Sequence, residues 1–171
     1  FGVNAHIRSV TERFAAAGHR IYLVGGIVRD VVLDRVHDGA DLDLTTDARP
    51  EETLALLEGW ADSTWTQCRA FGTIGARKGG ATFEVTTHRA EAYREDSRKP
   101  HVVYADDVEH DLSRRDFTIN AMALRLPDVE LIDPFGGVAD LAEGVLRTPL
   151  APEVSFSDDP LRMLRAARFI A

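Results

Sequence analysis

The order of apolar and polar positions along the chain resolves into a series of short elements. The stretch "VNAHIRSVTERFAAAG" carries its apolar residues at helical spacing, and Gly18 is placed to end that helix. "RIYLVGG" is a short apolar strand running into a glycine turn, "IVRDVVLDR" is helical, and "ADLDLTT" alternates as a strand does. "RPEETLALLEGW" opens with a proline and two acids, the composition of a helix first turn. "FGTIGARKGGATFEVTTHR" predicts a β-hairpin, with "KGG" supplying residues that accept a positive φ at the turn. "EAYREDSRKPHVVYADDVEHD" is charged and without period, so it predicts a mobile loop. "LSRRDFTINAMAL" predicts a helix start, with Ser113 as its N-cap, running into a strand. "VELIDPFGGVADLAEG" predicts a strand, a turn and a helix. "SFSDDPLRMLRAARFIA" predicts a helix capped by Ser157.

Strands and helices are therefore mixed around a hairpin, which favours an α+β or mixed sheet over a regular βαβ alternation. The final helix has no C-cap glycine and no breaker, so the chain is expected to continue into further domains.

Composition narrows the function classes. The chain of 171 residues is 44% hydrophobic, enough to fill the core of one domain, and no apolar run approaches a membrane span of roughly 18 residues. A formal charge of −8 argues against a surface that is basic all over, but arginines crowd the later part: Arg114, Arg115, Arg147, Arg162, Arg165 and Arg168. A polyanion held at one site is compatible with that distribution. Cys68 is the only cysteine, which rules out an intrachain disulfide and makes a reducing cytoplasm the expected setting. No Cys/His spacing suggests zinc.

The chemistry-bearing residues begin with Asp41 and Asp43. Two residues apart on a strand, they point to one face with Cα atoms about 6.5 to 7 Å apart. Two carboxylates on one face repel unless a cation lies near them. Mg²⁺ takes oxygen ligands and shares them with phosphates and water, so this pair is a half-site for a metal carrying a nucleoside triphosphate. The alternative is a solvated strand edge. Just upstream, Gly25 and Gly26 let the backbone approach a phosphate, the following helix start offers free N–H groups, and Arg29 stands one turn further in. The alternative there is a tight turn without a ligand. Glu84 lies mid-strand with Phe83 and Val85 facing away, so it projects as a possible third acid for metal-assisted phosphoryl transfer. In "RRDFTINA", Arg114 and Arg115 at an expected helix start gain nothing from the helix dipole, which favours a bound anion or a local acid such as Asp111; Asp116 and Asn120 share the segment.

In "DDPLRMLRAAR", Asp159 and Arg162 are helical neighbours three apart, with Arg165 and Arg168 continuing at the same spacing. A carboxylate beside a guanidinium complements the amino donor and ring-nitrogen acceptor that cytosine and adenine share, and mismatches guanine and uracil. The alternative is a surface ion-pair ladder worth a few tenths of a kcal/mol.

Taken in order, "LVGGIVRDVVLDRVHDGADLDLTT", "FEVTTHR", "RRDFTINAMA", "DPFGG" and "DDPLRMLRAARF" resemble the class II tRNA nucleotidyltransferases, the CCA-adding enzymes together with the bacterial poly(A) polymerases of that branch. The resemblance runs from about residue 20 to the end. It implies a polymerase-beta-like nucleotidyltransferase head with a mixed β-sheet flanked by helices over residues 1–148, and the first helix of a neck domain over 149–171. It implies Mg²⁺-dependent, template-independent addition of C and A from CTP and ATP to the tRNA 3′ end, with release of pyrophosphate.

By the same resemblance, Asp41 and Asp43 match the metal pair and Glu84 the third carboxylate. Gly26 and Arg29 match holders of the nucleotide's phosphates and sugar, beside Gly25. Arg115 and Asp116, with Asn120, match a second nucleotide-contacting motif. Asp159 and Arg162 match the side chains that read C and A, and Arg165 and Arg168 match flanking nucleotide contacts. Residues 92–110 match the family's flexible loop. The chain departs from the family at Asp158, where Glu is usual, at Asp34, where glycine is usual, and at His88 and His110, which are read as structural or incidental. Alternatives are a poly(A) polymerase, a CC-adding or A-adding enzyme, or, in another class, a nucleotide-binding module that does not catalyse. Nothing in the sequence points to a membrane or a protein partner.

Overall fold

A computed structural model describes residues 5–35, 41–91 and 103–150. The expected final helix, with Ser157, Asp158, Asp159, Arg162, Arg165 and Arg168, lies outside the described residues, as does the central part of the charged loop.

Helix α1 (Ala5–Ala16) buries Ile7, Val10, Thr11 and Phe14, the stripe its sequence spacing dictates. It stops at Gly18, whose φ of 81° lets Gly18 N–H reach the Ala15 carbonyl and His19 N–H the Phe14 carbonyl. Strand β1 (Ile21–Val24) is buried throughout and leads into α2 (Gly26–Val32). That helix is shorter than its sequence suggests: Asp34 takes a φ of 55°, which ends the run. Strand β2 (Leu42–Thr46) follows, and α3 (Pro50–Glu58) begins where its proline and acids predict.

The short edge strand β3 (Ser63–Trp65) was not evident from periodicity, since three residues carry too little pattern to be read. The hairpin forms as expected, from β4 (Thr73–Lys78) and β5 (Ala81–Thr87), with Gly79 and Gly80 at φ 56° and 83° in the turn.

The segment read as an aperiodic loop contains more structure than its composition suggests. Strands β6 (Arg89–Glu91) and β7 (Val103–Tyr104) pair, and α4 (Val108–Ser113) follows with Asp107 as N-cap, its carboxylate accepting from His110 N–H at 2.9 Å. Ser113 is therefore the last residue of a helix and not the N-cap of one. Arg114 and Arg115 follow the helix C-terminus, the end where cations are favoured, so the helix-dipole argument for a bound anion fails. A 3₁₀ turn (Thr118–Asn120), β8 (Ala123–Leu126), β9 (Glu130–Ile132) and α5 (Gly137–Glu143) complete the described chain.

The main sheet has seven strands in the order β3-β4-β5-β2-β1-β8-β9, with β2 and β5 parallel and the other pairs antiparallel. It is a mixed sheet flanked by helices, as the sequence reading expects. One face is apolar: Ile21, Leu23, Leu44, Ile74, Phe83 and Val85 pack with α1 residues Ile7, Val10 and Phe14 and with Leu57 and Trp60. The other face is divided. Over β1 and β8, Tyr22, Val24 and Ala123 are covered by Val108 and Leu112 of α4. Over β2 and β5 the same face carries Asp43, Thr45, Glu84 and Thr86, and a cleft opens there.

Candidate active site

The cleft follows from strand alternation. Leu42 and Leu44 turn into the apolar core, so Asp43 must turn away from it, and on β5 Phe83 and Val85 do the same for Glu84. Parallel pairing then sets Asp43 directly beside Glu84 in register. Asp41 stands one residue before β2, exposed, and its charge is felt at Asp43. Val24 pairs with Asp43 from the other neighbour, β1, which brings the Gly25 turn against the acids. Gly25 has a φ of 83°, and a Cβ built there would lie 3.3 Å from Asp43 Oδ2. The position thus requires glycine for its backbone and leaves little room beside the carboxylate.

A cavity of about 500 Å³ opens along this row, lined among others by Gly25, Gly26, Arg29, Asp43, Arg115, Asp116 and Asn120. Seven residues that the sequence singles out from three separate segments therefore line one cleft. Asp41 and Glu84 are not among its lining residues. The cations are held in place by specific partners. Arg29 Nη1 donates to Asn120 Oδ1 at 3.1 Å, Asn120 Nδ2 donates to Asp116 Oδ1 at 3.0 Å, and Phe117 N–H donates to the same oxygen at 2.8 Å. Asp30 Oδ1 lies 3.8 Å from Arg29 Nε.

The 3₁₀ turn that presents Asn120 is itself anchored. Thr118 Oγ1 donates to buried Asp140 at 2.6 Å, and Gly137 packs so close to the Thr118 carbonyl that a Cβ there would lie 2.2 Å from it. Asp133 of "DPFGG" accepts from Gly137 and Val138 N–H at 2.6 and 3.1 Å, which fixes the start of α5 behind this turn.

Elsewhere along the cleft, Arg115 Nη2 donates to Asp111 at 2.9 Å, and Arg89 N–H donates to the other Asp111 oxygen at 3.1 Å. Asp111 is 6% exposed. Burial works to raise its pKa, but the Arg115 guanidinium, their hydrogen bond and the Arg89 N–H outweigh it and hold the carboxyl below its ordinary range. Arg89 and Thr86 also line the cleft and were missed as site residues. Their signal was present for Thr86, which follows Glu84 by two on the same strand face; Arg89 opens β6 and is held by its pairing with Tyr104 as well as by Asp111, long-range contacts that no local pattern shows.

Neither His88 nor His110 lines the cleft. His88 is buried, bonds Thr45 Oγ1 at 2.7 Å and packs on Tyr22; desolvation lowers its pKa against the pull of nearby acids. His110 is exposed and bonds Asp107 at 2.7 Å.

The electrostatics single out Asp43. It retains solvent contact at the cleft mouth, yet its pKa is pushed up to about 6. Desolvation contributes most, then the charge of Glu84, with Arg115 opposing and a hydrogen bond to Glu84 and the charge of Asp41 adding to the rise. Among the described residues no three His, Cys, Asp or Glu side chains form a ready metal cage. Magnesium, however, is commonly held by one or two carboxylates, with phosphates and water completing its shell, and these adjacent acids beside a cleft lined by arginines fit that mode.

Comparison with known proteins accords with this geometry. The family model described as "Poly A polymerase head domain" matches residues 21–147. A CCA-adding enzyme of Lactobacillus helveticus is 44% identical over 162 residues, covering 94% of this chain and 39% of its own length. The crystal structure of the Bacillus stearothermophilus CCA-adding enzyme in complex with CTP superposes with a TM-score of 0.82 at 32% identity, covering 98% of this chain and 40% of that one. The Thermotoga maritima CCA-adding enzyme complexed with tRNA gives a TM-score of 0.72 at 33% identity, covering 98% and 38%. The chain thus spans about 40% of the length of the proteins it matches. No helix among the described residues is long and apolar enough to cross a membrane.

Proposed function

The chain belongs to the poly(A) polymerase head-domain family, and from that premise we propose that it is the catalytic head of a tRNA nucleotidyltransferase that adds C and A to tRNA 3′ ends. The observation that carries the proposal is the in-register pair of Asp43 and Glu84, the Asp43 pKa raised by burial and then by Glu84, beside a cleft lined by the Gly25–Gly26 turn, Arg29 and Arg115. A site for binding alone has no use for two acids forced together; a site for phosphoryl transfer does. This weighs against the non-catalytic reading.

In the proposed reaction the terminal 3′-hydroxyl of the RNA attacks the α-phosphorus of CTP or ATP. A new P–O bond joins nucleotide to RNA, the bond from the α-phosphorus to the bridging oxygen breaks, pyrophosphate leaves with that electron pair, and the hydroxyl proton passes to solvent. Bound Mg²⁺ would neutralise charge on the phosphates and polarise the reacting oxygens. Asp41 and Asp43 are its proposed ligands, with Glu84 as the third acid. Arg29, oriented by Asn120, and Arg115, oriented by Asp111, place positive charge along the triphosphate, and the glycine turn lets it lie against the backbone. Asp116 holds Asn120 in place for this task.

The division into a head over residues 1–148 and a neck from 149, and the reading of C and A by Asp159 and Arg162 with Arg165 and Arg168 beside them, complete the proposal. A reducing cytoplasm is the proposed setting, in keeping with free, exposed Cys68.

The test is incubation of the full-length protein with Mg²⁺, CTP, ATP and a tRNA trimmed of its 3′ end, followed by sequencing of the product. Restoration of CCA is expected. Growth of a long A tract would assign the chain to the poly(A)-adding members, and incorporation of all four nucleotides alike would overturn the base-reading assignment.

A further inference from the structure

The two tryptophans of the chain sit on opposite faces of the sheet. Trp60 belongs to the apolar core, edge-on to Phe83 at 5.3 Å between ring centres, with its indole N–H on Ser9 Oγ at 2.8 Å. Trp65 closes the edge strand β3 and is only partly buried. Its position is fixed by register. Trp65 pairs with Gly75, Gly75 with Glu84, and Glu84 with Asp43, so all four project to one face in a single row across the sheet. The indole lies over Gly75: a Cβ there would be 1.9 Å from Nε1 and 2.0 Å from Cε2. The ring occupies the space that any other side chain at 75 would fill. With strands about 4.8 Å apart, it stands one strand from Glu84 and two from Asp43.

The row also has a direction. Gly25, Gly26, Arg29 and Asn120 all stand beyond Asp43, on the β1 side. In-line displacement requires the attacking hydroxyl to approach from the side opposite the departing pyrophosphate. With the triphosphate on the β1 side of the acids, the hydroxyl enters over Glu84, from β4 and β3, where Trp65 lies. Exposed Arg77 projects to the same face two residues after Gly75 and supplies a cation for a backbone phosphate.

We propose that Trp65 is the stacking platform for the terminal base of the RNA acceptor, seated across the acid pair from the incoming nucleotide. The proposal rests on the nucleotidyltransferase reading above. An aromatic face stacks any base, which suits an acceptor whose last base changes as nucleotides are added.

The test compares the full-length protein with Trp65→Leu and with the double variant Trp65→Ile/Gly75→Val, which refills the sheet face without an aromatic ring. Both should raise KM for trimmed tRNA about tenfold, the effect of losing one stacked base, while KM for CTP and kcat at saturating tRNA stay within about twofold of the unmodified protein. Trp65→Phe should recover most of the affinity. KM for tRNA unchanged in both variants, or a loss confined to kcat, would overturn the proposal.

Fluorescence reads the contact independently of turnover. Adding single-stranded RNA should quench emission in the unmodified protein and much less in Trp65→Phe; equal quenching in both would overturn the platform. Absence of transfer by the unmodified protein would instead refute the function reading.

Discussion

The two faces of the central sheet use the same strands for opposite ends. On one face, Leu44, Phe83 and Val85 are almost wholly removed from water and pack with α1 and Trp60. On the other, their immediate neighbours Asp43 and Glu84 stand side by side with too few countercharges, and Asp43 responds with a pKa of about 6. The first arrangement stabilises the fold. The second works against it. Stability and the proposed chemistry are thus segregated by strand alternation, one residue apart, and substitutions on the two faces should have effects of opposite kind.

The largest contrast is expected at Asp43. Asp43→Ala should lower nucleotide transfer by a factor on the order of 10³, the scale of losing a principal electrostatic group at a reaction centre. Unfolding in urea without divalent ions should show the variant to be as stable as the unmodified protein, or more so, since a desolvated and repelled charge has gone. A variant both inactive and unfolded would break the comparison.

On the apolar face, Phe83→Ala should cost about 3–5 kcal/mol of stability through lost burial and the cavity left under Trp60. Chemical denaturation measures this directly.

The pH dependence sharpens the contrast further. The ordinary Asp43 value of 3.8 rises to about 6 in the folded protein, so between those values the folded state holds a proton that the unfolded chain has released. The contribution of Asp43 to stability therefore falls as pH rises through that window and levels off above it. The difference in unfolding free energy between the unmodified protein and Asp43→Asn, followed in metal-free buffer, should show this slope. Glu84→Gln should shrink it, because the Glu84 charge is the second cause of the shift. An unaltered slope in Glu84→Gln would detach the two acids from each other.

The smallest effect belongs to the cleft wall. Asn120→Ala severs the link from Arg29 to Asp116 and should cost about 1 kcal/mol of stability, with a rise of a fewfold in KM for CTP and little change in KM for tRNA.

Much of this was legible in advance, and the misses share a cause. Alternation around Asp43 and Glu84, the Gly79–Gly80 hairpin turn and the Gly18 stop are local, and local patterns declare themselves within a few residues. The reading failed between residues 103 and 115, where a six-residue helix is too short to display a period and its cap, Asp107, stands inside a run of charges. The consequence was an inverted placement of Arg114 and Arg115 at a helix start, although the neighbour proposed for them, Asp111, is the residue that Arg115 does contact.

The sequence alone determined which side chains leave the core, because hydrophobic burial forces their neighbours on a strand to face the other way. It also supplied the ordered motifs by which the chain resembles its family. Only the tertiary structure decided which of those outward side chains meet. The parallel register of β2 and β5, the anchoring of Asn120 through Thr118 and Asp140, and the row that carries Trp65 to the acid pair join residues far apart in the chain. Such long-range pairings leave no mark on local periodicity, since they are set by packing and strand order, not by any one segment.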